Sequence, residues 1–169
     1  MTNNTFYNFL LGIFLFILLA ASMPSLSAAL KPGEQAPPFK LKNLQNQMIS
    51  LTGLLSKGHV MLVFWEPECV YCYSHIPEFN ALQKKYKNKG FTIAAINFLG
   101  EYEDDVRKYA TDNNVEYMMF AERLNNIDVA EAYKVIGSPT IVVISPEGKI
   151  LSYGYKIPEL GQWLDYSKD

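Results

Sequence analysis

At 169 residues and a net charge of −2, the chain is long enough for one buried core and too short for two. The near-neutral charge gives no basic field to attract nucleic acid. A content of 11 Tyr and 10 Phe argues for a packed sheet and against disorder.

From Phe9 to Ala21 the chain is apolar apart from Gly12, and Ser27-Ala28-Ala29 supplies small residues of the kind a signal peptidase accepts. Residues 1–29 are therefore read as a signal peptide or membrane anchor. The rest of the chain is then expected to be periplasmic or extracytoplasmic, secreted or tethered to the inner membrane. Lys31, Lys40 and Lys42 run against this by the positive-inside rule, but the cleavage-like stretch followed by a folded domain outweighs them. Residues 30–38, rich in Pro and Gly, read as a linker to one domain over 39–169.

Within that domain, 39–50 predicts a β-hairpin turning at Asn43–Asn46, and 51–55 a single helical turn. Val60-Met61-Leu62-Val63-Phe64-Trp65 is continuous, apolar and short, the pattern of a strand buried on both faces. Ile76, Phe79, Leu82, Gln83 and Tyr86 recur at helical spacing, so a helix is expected over 72–88, closed by Gly90. Further strands are expected over 91–98, 117–121, 140–145 and 150–155. Helices are expected over 103–113, 127–133 and 158–166, with Pro158 suited to the first turn of the last. Strands alternating with helices, then a closing hairpin, imply an α/β fold with a mixed central sheet flanked by helices.

The two cysteines of the chain form Cys69-Val70-Tyr71-Cys72, between strand 60–65 and the expected helix. Thiols at i and i+3 can close or open a small disulfide ring with little backbone movement. A helix N-terminus carries about half a positive charge, which favours a thiolate there. Strand, Cys-x-x-Cys, helix therefore points to thiol–disulfide exchange. Two other uses of the pair stay open. A structural disulfide closing so short a loop removes little unfolded-state entropy. A zinc site needs about four ligands, which Cys69, Cys72, His59 and His75 could supply in number.

Gly137-Ser138-Pro139-Thr140 sets a proline directly before an apolar strand. Together, Phe64-Trp65, Cys69-x-x-Cys72, Pro77 within the helix and Gly137-Ser138-Pro139-Thr140 resemble the thioredoxin superfamily. Within it the chain is similar to the TlpA/ResA-type exported thiol–disulfide oxidoreductases, whose segment before an extra N-terminal β-hairpin resembles Gly33-Glu34-Gln35-Ala36-Pro37-Pro38-Phe39. The resemblance implies a thioredoxin-like fold with a cis peptide bond before Pro139. It implies that Ser138 and Pro139 dock an extended substrate. It makes Cys69 the exposed attacking nucleophile and Cys72 the buried resolving thiol, with no cofactor. It also implies clients with oxidised cysteine pairs, among them apocytochrome c, and a DsbD-type membrane thiol transporter as electron source.

The chain departs from the family near the pair. Glu68 stands where many relatives have Trp, and Glu66 lies close by. Two carboxylates there oppose a thiolate on Cys69, which favours a reductant over an oxidant. Val63 occupies the place of the buried Asp of thioredoxin. His75 stands where TlpA/ResA-type proteins often place Glu, and a His can move protons near neutral pH. Glu66, Glu68 and His75 are thus candidates for proton transfer or pKa tuning. Three alternatives are a disulfide oxidant or isomerase, a thiol peroxidase, and a non-enzymatic copper or zinc chaperone. Peroxidases of this fold normally carry Thr three residues before the nucleophile, where this chain has Glu66. Copper-delivery relatives usually space their cysteines one residue further apart.

Overall fold

The computed structural model describes residues 29–165. The signal peptide or anchor expected over 1–29 lies, Ala29 apart, outside the described residues, as does Tyr166 at the end of the last expected helix. Among the described residues no helix is long and apolar enough to cross a membrane.

The chain opens with a hairpin of β1 (Lys40–Lys42) and β2 (Met48–Ser50), paired antiparallel. Its turn is held by Asn43, whose Oδ1 accepts from the N–H groups of Gln45 and Gln47 at 3.0 and 2.9 Å, while Asn46 takes a positive φ of 59°. Ser50 caps α1 (Leu51–Leu55) by accepting from the Gly53 N–H. There follow β3 (Val60–Trp65), α2 (Val70–Ser74), α3 (Ile76–Tyr86) and β4 (Thr92–Asn97). Then come α4 (Glu103–Asp112), β5 (Met118–Phe120), α5 (Arg123–Ala132), β6 (Thr140–Ile144), β7 (Ile150–Gly154) and α6 (Gly161–Leu164).

The main sheet runs β5-β4-β3-β6-β7. β3, β4 and β5 are parallel, and β6 and β7 are antiparallel additions. Alternate residues of each strand feed two cores. Met61, Val63, Trp65, Ile93, Ala95, Ile141 and Val143 pack with Phe79, Tyr86, Val106, Leu160 and Leu164 on one side. Val60, Leu62, Phe64, Ala94, Ile96, Val142 and Ile144 pack with Phe39, Leu51, Leu54, Ala130 and Tyr133 on the other. Two-sided burial is why β3 reads as an unbroken apolar run.

Three expectations are corrected. The single helix expected over 72–88 begins at Val70 and is broken at His75. Pro77 has no N–H to bond back one turn, so the chain stops and restarts, with Pro77 in the first turn of α3 where no such bond is needed. The helix expected over 127–133 starts four residues earlier, at Arg123. Asn126 in its first turns is buried, and its Nδ2 donates to the Phe120 carbonyl at 3.1 Å. The terminal helix expected from Pro158 starts only at Gly161 and leaves Pro158 outside it. The Pro/Gly-rich stretch before the hairpin lies along the β6–β7 turn, with the Ala36 N–H donating to Gly148 O at 2.9 Å and the Ile150 N–H to Glu34 O at 2.9 Å.

Below the sheet, where β3 and β4 begin, two backbones touch. Gly90 has φ 76°, and a Cβ on it would lie 1.9 Å from the Lys57 carbonyl oxygen. Gly58 has φ 140°, and a Cβ there would lie 2.2 Å from the Gly90 carbonyl oxygen. Gly90→Ala is expected to cost at least ~2 kcal/mol, from the left-handed backbone and the overlap together. A urea titration should show a lower midpoint at unchanged slope. A midpoint equal to that of the wild type would contradict the close approach.

Candidate active site

After Trp65 the chain turns through Glu66-Pro67-Glu68, with the Cys69 N–H donating to the Glu66 carbonyl at 3.2 Å. Cys69 is the N-cap of α2, and its sulfur accepts from the Cys72 N–H at 3.1 Å. Cys69 and Cys72 are joined as a disulfide, with Cα atoms 5.2 Å apart. Cys69 is 6% exposed and Cys72 3%, so the exposed Cys69 expected from the sequence is not what the disulfide form presents. As a cap, Cys69 turns its side chain back over the first turn of the helix, into the core cluster that holds Trp65 and Phe79. Its neighbour Val70 is 78% exposed instead.

The Ser138–Pro139 peptide bond is cis, the isomer that the resemblance implies. Pro139 is buried and Ser138 half-buried. β6 starts directly after them, with Thr140 opposite Phe64, so the loop over 136–139 and the redox loop over 66–72 lie at one end of the sheet. Two side-chain bonds brace the first loop. Thr140 Oγ1 donates to the Gly137 carbonyl at 2.7 Å, and the Ser138 hydroxyl donates to Glu66 Oε1. The structure thus sets Glu66, Ser138, Pro139 and both cysteines at one end of the sheet, with Glu66 bonded both to Ser138 and to Cys69. Glu68 is exposed to water.

His75 is turned toward its own helix. Its Nδ1 lies 2.9 Å from the Tyr71 carbonyl oxygen and 2.9 Å from Ser74 Oγ. Its ring stacks on Tyr71 with centroids 3.7 Å apart, and Nε2 is 3.9 Å from Glu78 Oε2. A carbonyl oxygen only accepts, so the bond to Tyr71 assigns a proton to Nδ1. The Tyr71 hydroxyl accepts from the Ile157 N–H at 3.4 Å, which ties the dipeptide between the cysteines to the segment before α6. His59 precedes β3 while the cysteines follow it. A six-residue strand spans about 20 Å, whereas zinc ligands must meet within about 2.0–2.3 Å of one ion. The four-ligand zinc site counted from the sequence therefore does not assemble.

Sequence reasoning passed over Asn97. It is buried at the end of β4, and its Oδ1 accepts from the Gly100 and Glu101 N–H groups, both at 3.0 Å. Its Nδ2 reaches the Trp65 carbonyl at 3.5 Å. One side chain thus fastens the loop after β4 to the strand that delivers the cysteines. The available signal was a lone Asn ending an apolar run, a place where an Asx turn is common.

A family model described as the AhpC/TSA family matches residues 32–153. The chain belongs to the AhpC/TSA family. It is 31% identical, over 121 residues and 72% of its length, to the thiol-disulfide oxidoreductase ResA of Halalkalibacterium halodurans. It is 31% identical over 123 residues to ResA of Bacillus subtilis. It spans 66% of the length of each of these two proteins. With ResA of Oceanobacillus iheyensis it shares 30% identity over 147 residues, which is 80% of this chain and 74% of that one. Among solved structures, a thiol:disulfide interchange protein from Bacteroides sp. superposes with a TM-score of 0.73 at 26% identity, covering 84% of this chain and 95% of that one. A thiol:disulfide interchange protein DsbE described as putative, from Chlorobium tepidum, gives a TM-score of 0.68 at 27% identity, covering 80% and 92%. As an AhpC/TSA member this chain has a thioredoxin-like fold, with the additional β1–β2 hairpin expected from the sequence.

The role of Asn97 can be measured. Asn97→Ala leaves one buried and one part-buried N–H donor without their acceptor, and is expected to destabilise the protein by about 2 kcal/mol. Asn97→Asp keeps an acceptor oxygen and should lose less in the same denaturant titration. Equal losses in the two variants would show that Asn97 acts by filling space.

Proposed function

We propose that the protein is an extracytoplasmic thiol–disulfide oxidoreductase that reduces disulfides in exported proteins. The observation that carries this reading is the disulfide between Cys69 and Cys72 at the N-cap of α2, beside Ser138 and Pro139. The names of the ResA relatives support it. In the reduced protein the Cys69 thiolate attacks one sulfur of a client disulfide. A bond forms between Cys69 and that sulfur, and the other client sulfur leaves as a thiolate. The Cys72 thiolate then attacks Cys69 Sγ, releasing the second client thiolate. Two electrons pass to the client, and the Cys69–Cys72 disulfide remains. The electrons reside in the thiols, so this cycle uses no cofactor. A membrane thiol transporter of the DsbD kind would restore the dithiol, and apocytochrome c is a client of suitable chemistry.

The surroundings suit an extended polypeptide. Val70 and Tyr73 on α2 and Ile136 before the docking loop are exposed large apolar side chains, with Ile136 86% exposed. Leu99 and Tyr102 on the loop after β4, and Leu124 in the first turn of α5, are exposed at the same end of the sheet. A client cysteine flanked by apolar residues would bury them there, while the backbone of Ser138 pairs with the client's own backbone. The direction of transfer follows from charge. Between Gly58 and Gln83 the chain holds no Lys or Arg, and Glu66 and Glu68 precede the nucleophile. A thiolate that finds little stabilisation makes its disulfide harder to reduce.

Trapping tests the exchange. Cys72→Ala should accumulate mixed disulfides on Cys69 when expressed in a bacterial envelope, and Cys69→Ser should accumulate none. Faster alkylation of Cys72 than of Cys69 in the reduced protein would reverse the assigned roles. The direction is tested separately by equilibrium with a dithiol buffer. A potential near the thioredoxin value of about −270 mV fits a reductant, and one near about −120 mV would make the protein an oxidant.

A further inference from the structure

We infer that Glu66 is a positioning residue that holds the docking loop in register with Cys69, acting through the Ser138 hydroxyl. The inference rests on the redox reading above and gives Glu66 a part in substrate docking beside the pKa tuning expected from the sequence.

The β3–β6 ladder carries the geometry. Its last backbone pair is Phe64 with Thr140. Two residues further along each strand, Glu66 and Ser138 come opposite one another in the same register. Pro139 has no N–H, so the ladder cannot continue through it. At the next opposed position a side-chain bond takes over, with the Ser138 hydroxyl donating to Glu66 Oε1. Glu66 also holds the other side of the site, because its backbone carbonyl accepts the Cys69 N–H at 3.2 Å. One residue thus grips the attacking cysteine by its main chain and the docking residue by its side chain. Both Glu66 and Ser138 are half-buried, so the bond is partly shielded from competing water. A hydroxyl-to-carboxylate bond is charge-assisted and stronger than a neutral one. Gly137, which has no side chain to brace it, precedes Ser138 and is held through its carbonyl by Thr140 Oγ1. Loss of the Glu66 bond therefore frees the backbone of Ser138, which is the edge an extended client must meet.

A pair of disulfide probes separates docking from thiol reactivity. The first is a synthetic peptide closed by one internal disulfide, which needs the docking edge. The second is 5,5′-dithiobis(2-nitrobenzoate), which has no peptide backbone to dock. For the reduced full chain, Glu66→Ala and Ser138→Ala should each lower kcat/KM on the peptide about tenfold, mainly through a higher KM. The rate constant with the aryl disulfide should not show this loss in either variant, and in Glu66→Ala it should hold or rise, because removing the carboxylate eases ionisation of Cys69. The double variant should be no worse than either single one, because both remove the same bond. Glu66→Gln keeps an oxygen that accepts from Ser138, and should recover most of the peptide activity. Equal losses on the two probes would mean that Glu66 acts on the Cys69 thiol itself, and would overturn the inference. So would additive losses in the double variant, or a Glu66→Ala protein as active on the peptide as the wild type. A wild-type chain that reduces neither probe would sink the redox reading, and this inference with it.

Discussion

Five backbone partnerships between β3 and β6, from Val60 with Ile144 to Phe64 with Thr140, decide where the two halves of the candidate site meet. The cysteines follow the end of β3, and Ser138 and Pro139 precede the start of β6. Because the strands run antiparallel, those two ends coincide. A slip of one residue would send every β3 side chain to the opposite face. Both faces of this strand are buried, in two cores of different shape, so the slip would misplace bulky groups on both sides at once. Met61, Val63 and Trp65 belong to one core and Val60, Leu62 and Phe64 to the other. The apolar character of β3 is thus what fixes the placement of a polar site beyond its end.

The second constraint is the break between α2 and α3. A continuous helix through 70–86 would need an N–H at Pro77 that proline lacks. The break leaves α2 only five residues long, with Cys69 as its cap and Cys72 within its first turn. Both thiols therefore sit where the backbone N–H groups are unpaired by the helix itself, which is where a developing thiolate is best received. It also turns His75 into the junction residue, bonded to the Tyr71 carbonyl and stacked on the Tyr71 ring. Those contacts explain why a His at this position is compatible with the bend. They engage its Nδ1 with the backbone, so any proton traffic through His75 would have to use Nε2, which faces Glu78.

Much of this was legible in the chain. Continuous apolar runs marked the buried strands, and the spacing of Ile76, Phe79 and Tyr86 marked the core face of α3. The cysteine pair and Pro139 marked the site, because each is a residue type with a narrow set of structural uses. Local pattern failed where the deciding partner is distant. Nothing near Glu66 in sequence shows that its carboxylate takes the hydroxyl of Ser138, 72 residues away. The sequence places the start of α5 four residues late, because nothing local shows that Asn126 is received by the Phe120 carbonyl inside the core. The stretch around Glu34 and Ala36 reads as a linker because its backbone partners, Gly148 and Ile150, belong to the far end of the domain.

Glu66 and Glu68 looked equivalent as acidic neighbours of Cys69, and the fold separates them. Glu68 is exposed, so water and salt screen its charge within about a Debye length of 8–10 Å. Glu66 is half-buried and engaged with Ser138, and its charge is felt through a less polarisable medium. The electrostatic case for a reductant therefore falls mainly on the same carboxylate that positions the docking loop. In the proposed cycle one side chain would then carry two effects on different steps: a charge that bears on the thiolate of Cys69, and a hydrogen bond that bears on where the client lies. A neutral acceptor at this position keeps the bond and removes the charge. The two effects are thus separable in the molecule even though a single residue supplies both.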